Sequence, residues 1–431
     1  MSWTWTAIVL ALLTAAVAKT TLQHAPQDIL HPLVIVNGIL AYFAIFPAAF
    51  LLATGRYYFR GVTTTDGLFA ALSLVLLGYL LTVYGYRHAA TTRVRLRLSN
   101  TVTVPGRSDV PPQRLRLLGI TGFAIGGLSY TYYVLVNGGP IEMLTVTPRT
   151  AFTTVPETGR WRMLGLLGLF GGLITTLVSY WPGMSRHQLT SRDTTILASV
   201  CGTVLTAAVL TRARMVILIP IVIIFAYVYF ANYVTQRQLI AGVSAVGVLV
   251  AISGFFEAAI LGDGKLWLLM RGLIQTVRLE VFAGTVIQVP SQHPYAFGET
   301  LLRAPMIQWP GMPLRYGDQL EVIMIGKNRS HTTMSGMLLG ELYLNWGVLG
   351  VLGGSGLFGL ALGALTHLRT AQSYIARGSY PLLLIGTVLL WPTNLTWATQ
   401  GIVLRLFIPL AAAITAAIIW THHTPPEARP V

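Results

Sequence analysis

Residues 214–232 read RMVILIPIVIIFAYVYFAN, and after Arg214 no charged side chain follows. A run of this length and composition cannot be covered by the surface of a soluble domain, whereas about 20 consecutive apolar residues are what a helix needs to cross the hydrocarbon core of a bilayer. The same reading recurs outward in both directions. Apolar stretches at 3–18, 32–53, 66–86, 115–137, 163–181, 193–210, 214–232, 238–258, 335–366, 379–397 and 401–421 predict an all-α, polytopic membrane bundle of about 11 helices. These residues form one membrane domain, 1–431. A transmembrane barrel would need short segments of alternating polarity, which 214–232 is not. Composition agrees: 54% of residues are hydrophobic and 10% charged, far below the charged share of a soluble domain.

The first stretch, Trp5 to Ala18, has small residues near its end (Ala15, Ala16, Ala18) like a signal-peptide cleavage site. No Lys or Arg precedes it, so it is expected to be an uncleaved helix. The single cysteine, Cys201, lies in an apolar run, so no disulfide framework or thiolate metal site can be built. The chain carries 29 Lys and Arg against 14 Asp and Glu. Lys stands only at Lys19, Lys265 and Lys327, and the dominance of Arg suits planar phosphate recognition. Much of the positive balance follows from inner loops obeying the positive-inside rule, so nucleic acid is not expected as a partner.

The loop 87–114 holds Arg87, Arg93, Arg95, Arg97, Arg107 and Arg114 and is expected to be cytoplasmic. Alternation then places 182–192, 233–237, 367–378 and the C-terminus inside and the N-terminus outside. It also places 54–65, with Arg56 and Arg60, outside, against the rule. The informative outer segment is 259–334, too long for a mere connector. It contains Arg271, Arg278, Arg303, Arg315, Lys327 and Arg329, and the turn carrying Arg212 and Arg214 opens on the same side. Two readings stand. Long translocated loops escape the charge rule, leaving these arginines to meet lipid phosphates. Or the arginines converge on an anionic ligand, and a diphosphate would suit their bidentate forks.

Within that segment, 265–287 reads as an amphipathic helix at the interface, with Arg271 and Arg278 seven apart on one face. The Pro-, Gly- and aromatic-rich stretch 293–318 reads as an ordered irregular loop. The ninth span opens after His331, and Glu341 and Asn345, four apart, share a helix face with Tyr343 close by. An ionisable residue in a membrane helix is by default a functional hypothesis.

The pattern TMSGMLLGELYLNWGVLG at 333–350 resembles the signature of the oligosaccharide repeat-unit polymerases of O-antigen and exopolysaccharide assembly. Arg278-Leu279-Glu280, the Tyr295 to Gly298 turn with its Pro-rich continuation, and an Arg opening a mid-chain helix at Arg214 add to the resemblance, which covers about a third of the chain. After Pro305 the sequence reads MIQWPGMPLRYG, where the family commonly shows an Ile-Pro-Arg step and a Lys-Pro pair, so Arg303 and Arg315 match it poorly. The resemblance implies a membrane glycosyltransferase of GT-C-like fold in the plasma membrane. It would move a growing glycan from a polyprenyl diphosphate to another lipid-linked repeat unit at the outer face, without a nucleotide sugar or cofactor. A chain-length regulator is the protein partner it allows. Arg212, Arg214, Arg271 and Arg278 would stabilise the departing diphosphate. Arg303, Arg315, Arg329, Tyr343 and Asn345 complete the candidate substrate contacts. Glu341, Glu280 and His331 are the candidate bases, and Glu341 could equally hold an arginine in place.

Gly354-Ser-Gly-Leu-Phe-Gly359 fits a dinucleotide motif in letters alone; inside a membrane span it predicts close helix packing. No P-loop, Asp-x-Asp pair or His/Cys cluster is present, so no metal is expected. Arg149 and Arg405 are weaker candidates for the pocket, and the glycosylation triplets at Asn328 and Asn394 carry no assigned meaning. Two rival functions remain in view: a ligase sharing the same chemistry, and a transporter of lipid-linked sugars. A transporter would more often show an internal repeat and helices broken near the midplane.

Overall fold

The computed structural model describes residues 2–55, 64–91, 110–145, 158–211, 214–242, 244–245, 276–300, 320, 322–324, 336–392 and 406–423. Among them every regular element is a helix: α1 (Ser2–His24), α2 (Pro32–Thr54), α3 (Thr65–Thr91), α4 (Pro112–Val136), α5 (Pro140–Thr145), α6 (Thr158–Ser185), α7 (Ser191–Leu210), α8 (Arg214–Phe230), α9 (Thr276–Gln288), α10 (Met337–Thr366), α11 (Tyr374–Val388) and α12 (Ile408–His423). Seven described helices are long and apolar enough to cross a membrane, which makes this a multi-pass helical membrane protein. Of the expected spans, most of 238–258 and the latter part of 379–397 lie outside the described residues.

The chain divides into two compact units. The first contains α1, α2, α3, α9 and α10. Helices α1, α2 and α3 are joined by a buried polar knot that hydrocarbon cannot replace. The Asn37 amide donates to the Val17 carbonyl and to the Thr20 and Thr21 hydroxyls (3.2, 3.1 and 2.8 Å), and Tyr79 donates to Asn37 Oδ1 at 2.8 Å. Thr20 also pairs with Tyr79 directly. In α2, Pro47 has no N–H to offer the preceding turn, and the ladder widens into a π-turn over Ala41–Ile45.

Helices α3 and α10 meet through small residues. A Cβ on Gly359 would sit 2.2 Å from the Thr82 carbonyl oxygen, and one on Gly85 2.6 Å from the Gly356 carbonyl oxygen. The run at 354–359 is therefore a packing face, as its position in a span predicts.

The reading of 335–366 as one continuous span is corrected. Trp346 (φ −139°) and Gly347 (φ 61°, ψ −144°) leave helical geometry, and the chain folds back on itself. A Cβ on Gly350 would lie 2.3 Å from the Leu342 carbonyl oxygen, and one on Gly354 would lie 2.5 Å from the Leu342 side chain. In a straight helix Leu342 and Gly354 would be about 18 Å apart along the axis. So α10 is two limbs, 337–345 lying back on 348–366. The longer limb, about 28 Å, still suffices to cross a bilayer. The shorter is buried at every residue.

The second unit contains α4 to α8, α11 as far as Ile385, and α12. Its axis is the α4–α6 pair, in which glycines bring backbone onto backbone: a Cβ on Gly126 would lie 2.4 Å from the Leu169 nitrogen. At one end Arg116 bonds Asp193 (3.1 Å) and stacks on Tyr180, Arg114 lies over Trp420, and the Tyr374 hydroxyl donates to the Val110 carbonyl at 2.6 Å. These contacts gather the ends of α4, α6, α7, α11 and α12, the termini that charge alternation assigns to one side.

Candidate functional site

In the first unit the short limb of α10 ends at Asn345, where the chain break removes the helical donors for its last carbonyls. The loop after α9 supplies them. Ala296 N–H donates to the Leu344 carbonyl (2.9 Å) and Phe297 N–H to the Asn345 carbonyl (3.1 Å). The Asn345 side chain completes the junction. Its Oδ1 accepts from Gly298 N–H at 2.8 Å, and its Nδ2 donates to Thr300 Oγ1 (2.7 Å) and to the Glu341 carbonyl (2.8 Å). Phe297 (φ 44°) and Gly298 (φ 88°) carry successive positive φ, a turn geometry that glycine eases at the second position. The Tyr295 ring covers Gly347, where a Cβ would meet its hydroxyl oxygen at 2.8 Å.

Helix α9 is drawn onto the same limb. The Tyr343 hydroxyl donates to the carbonyls of Val286 (3.3 Å) and Val289 (3.2 Å), and its ring meets Phe282 edge-on. Tyr343 and Asn345, expected among the substrate contacts, direct these polar atoms to partners within the protein. Glu280 on α9 and Glu341 on the limb are both fully buried, and each has a partner.

Arg278 is different. Its guanidinium lies over the Phe43 ring, 4.8 Å from the centroid, and Nη1 is buried without a hydrogen-bond acceptor. Burial draws its pKa down to about 10, with Tyr42 opposing the shift, so it remains a cation at neutral pH. The π-turn in α2 is what places Tyr42 and Phe43 here. These two aromatics, Thr300 and Gly347 were not among the sequence candidates. The Phe46-Pro47 step inside a span was the readable sign of the π-turn, but nothing in one dimension pairs it with Arg278.

Of the remaining candidates, Arg212, Arg271, Arg303, Arg315, Arg329 and His331 lie outside the described residues, as do Arg149 and Arg405. Arg214 opens α8 in the second unit, with only its backbone described. Among the described residues no three His, Cys, Asp or Glu side chains gather to hold a metal ion. The arrangement in the first unit is thus a half-buried cation whose Nη1 has no acceptor among the described residues and two buried carboxyl groups, held by the folded-back limb and the loop docked on its end. No protein-family profile, curated protein or solved structure matches the chain.

Proposed function

We propose that the protein is a plasma-membrane glycosyltransferase of GT-C-like fold with about 11 membrane helices, its N-terminus outside and its C-terminus in the cytoplasm. It polymerises polyprenyl-diphosphate-linked oligosaccharide repeat units at the outer face. The observation that carries the reading is Arg278, a half-buried guanidinium whose buried Nη1 is an unfilled donor, on the α9 helix that also bears Glu280 and packs against the limb bearing Glu341. A buried cationic donor without an acceptor is costly unless a ligand completes it, and a diphosphate is such a ligand.

In the reaction an acceptor sugar hydroxyl attacks the anomeric carbon of the donor glycan. The bond from that carbon to the diphosphate oxygen breaks, with its electron pair leaving on the diphosphate. Arg278 stabilises that charge, and the hydroxyl proton passes to a carboxylate, Glu341 or Glu280.

The test is incubation of the purified protein with lipid-linked repeat units, with products resolved on a gel. A ladder of lengthening glycans that Arg278→Ala abolishes supports the reading. An unchanged substrate, under conditions where it binds, removes it. One observation favours a second reading: the break at Trp346–Gly347 gives the discontinuous helix common in transporters. Movement of the intact lipid-linked sugar across liposomes, with no ladder, would establish that alternative.

A further inference from the structure

The end of the second unit where α4, α6, α7, α11 and α12 meet is strongly basic. Among its described residues Arg114, Arg116, Arg186, Arg192, Arg369 and Arg377 face one acid, Asp193. That acid is taken. Asp193 Oδ1 bonds Arg116 at 3.1 Å, and its other oxygen closes the capping box with Thr190 at the start of α7. Arg116 is further covered by the Tyr180 ring, 3.7 Å from the guanidinium carbon.

Arg114, two residues earlier, has the same aromatic cover and, among the described residues, no counter-charge. Its guanidinium lies 5.3 Å from the centroid of the Trp420 ring on α12, and its Nη1 is buried without an acceptor. It sits in the first turn of α4, which contains no acidic residue and whose N-cap, Pro111, provides no side-chain cap. A guanidinium nitrogen shielded from water and unpaired needs an oxygen acceptor. The arrangement of a planar fork, an indole face and a helix start free of acids suits a phosphate group. Trp420 is 41% exposed near the end of an apolar helix, where indoles mark the headgroup level of a membrane.

We propose that Arg114 and Trp420 of the second unit form a binding site for the phosphate of an anionic membrane lipid, independent of the proposed reaction. The lipid phosphate supplies the missing acceptor to Arg114 while its acyl chains run along the apolar surface of α4, where Leu117 is exposed. Arg116, whose Nε is also buried without an acceptor, differs in carrying the Asp193 counter-charge; it holds α4 to α7 and does not bind the lipid.

The experiment is native mass spectrometry of the full chain in detergent, titrated with phosphatidylglycerol or phosphatidylcholine. Phosphatidylglycerol is expected to bind in preference, and Arg114→Gln to weaken it about fivefold, the effect of one basic residue at a membrane surface. Arg186→Gln, which removes an exposed charge at the same end, is expected to change binding less than twofold. Equal losses in the two variants would mean diffuse attraction and overturn the site, as would equal binding of the two lipids. Millimolar inorganic phosphate is expected not to displace the lipid; displacement would assign the site to free phosphate instead. Should Arg114→Gln fail to fold, Trp420→Leu removes the stacking face and is expected to weaken binding in the same direction, and its failure to do so would also overturn the proposal.

Discussion

Two of the glycine-packed pairs of helical segments in this protein have opposite consequences. In the second unit α4 and α6 approach until a Cβ on Gly126 would meet the Leu169 nitrogen at 2.4 Å, yet both helices run on as long, uninterrupted spans. In the first unit the limbs 337–345 and 348–366 touch as closely, but they are joined by two non-helical residues, Trp346 and Gly347. An intact ladder satisfies its own backbone and asks nothing of its neighbours. A broken one exposes carbonyls that must be bonded where water is scarce. The 296–300 turn does this and fastens the segment that follows α9 to the limb bearing Glu341.

Replacing Gly347 breaks the comparison most severely. Its φ of 61° with ψ of −144° is a region nearly closed to side chains, and Tyr295 fills the space above it. Gly347→Ala is expected to lower stability by about 3 kcal/mol and to abolish activity, measured as thermal unfolding in detergent and as product ladder. Retention of both would mean that the fold-back is dispensable.

Two of the aromatic-covered arginines sharpen the contrast. Arg278→Met removes a charge without an acceptor, so activity is expected to fall at least about a hundredfold while the thermal midpoint stays level or rises. Arg116→Met strips Asp193 of its partner and is expected to cost about 1 kcal/mol of stability, with the pair partly exposed and screened. A destabilised Arg278→Met with normal turnover would make Arg278 a structural residue.

Asn345→Ala leaves the Gly298 N–H and the Thr300 hydroxyl without that partner, at a cost of about 2 kcal/mol. Increased proteolysis or deuterium uptake confined to 289–300 is the expected readout; uniform change along the chain would argue against a local clamp. The smallest effect belongs to Gly353, on the long limb, where a Cβ would meet nothing within 4 Å. Gly353→Ala is expected to add about 0.5 kcal/mol through helix propensity. A loss there would show that this face of the limb is covered.

The sequence by itself determined the class of this protein. The apolar length of segments such as 214–232 admits only membrane helices, because backbone polar groups in hydrocarbon must bond within their own segment. It also assigned the Gly354–Gly359 run to packing, grouped the basic helix ends and singled out Glu341 as an ionisable residue in a membrane helix, with Arg278 and Glu280 as candidates on the outer segment. Only the tertiary structure decided what those residues face. The spacing of Glu341 and Asn345 put them on one side of a helix but left open whether ligand or protein occupied that side. Asn345 turned out to bond a turn 47 residues earlier in the chain. Gly347 reads, in one dimension, like the other glycines of a packed span, since local sequence cannot separate a glycine that admits a neighbour from one that reverses the chain. Periodicity reports a helix's own geometry, whereas partners are chosen by contacts between segments far apart in sequence.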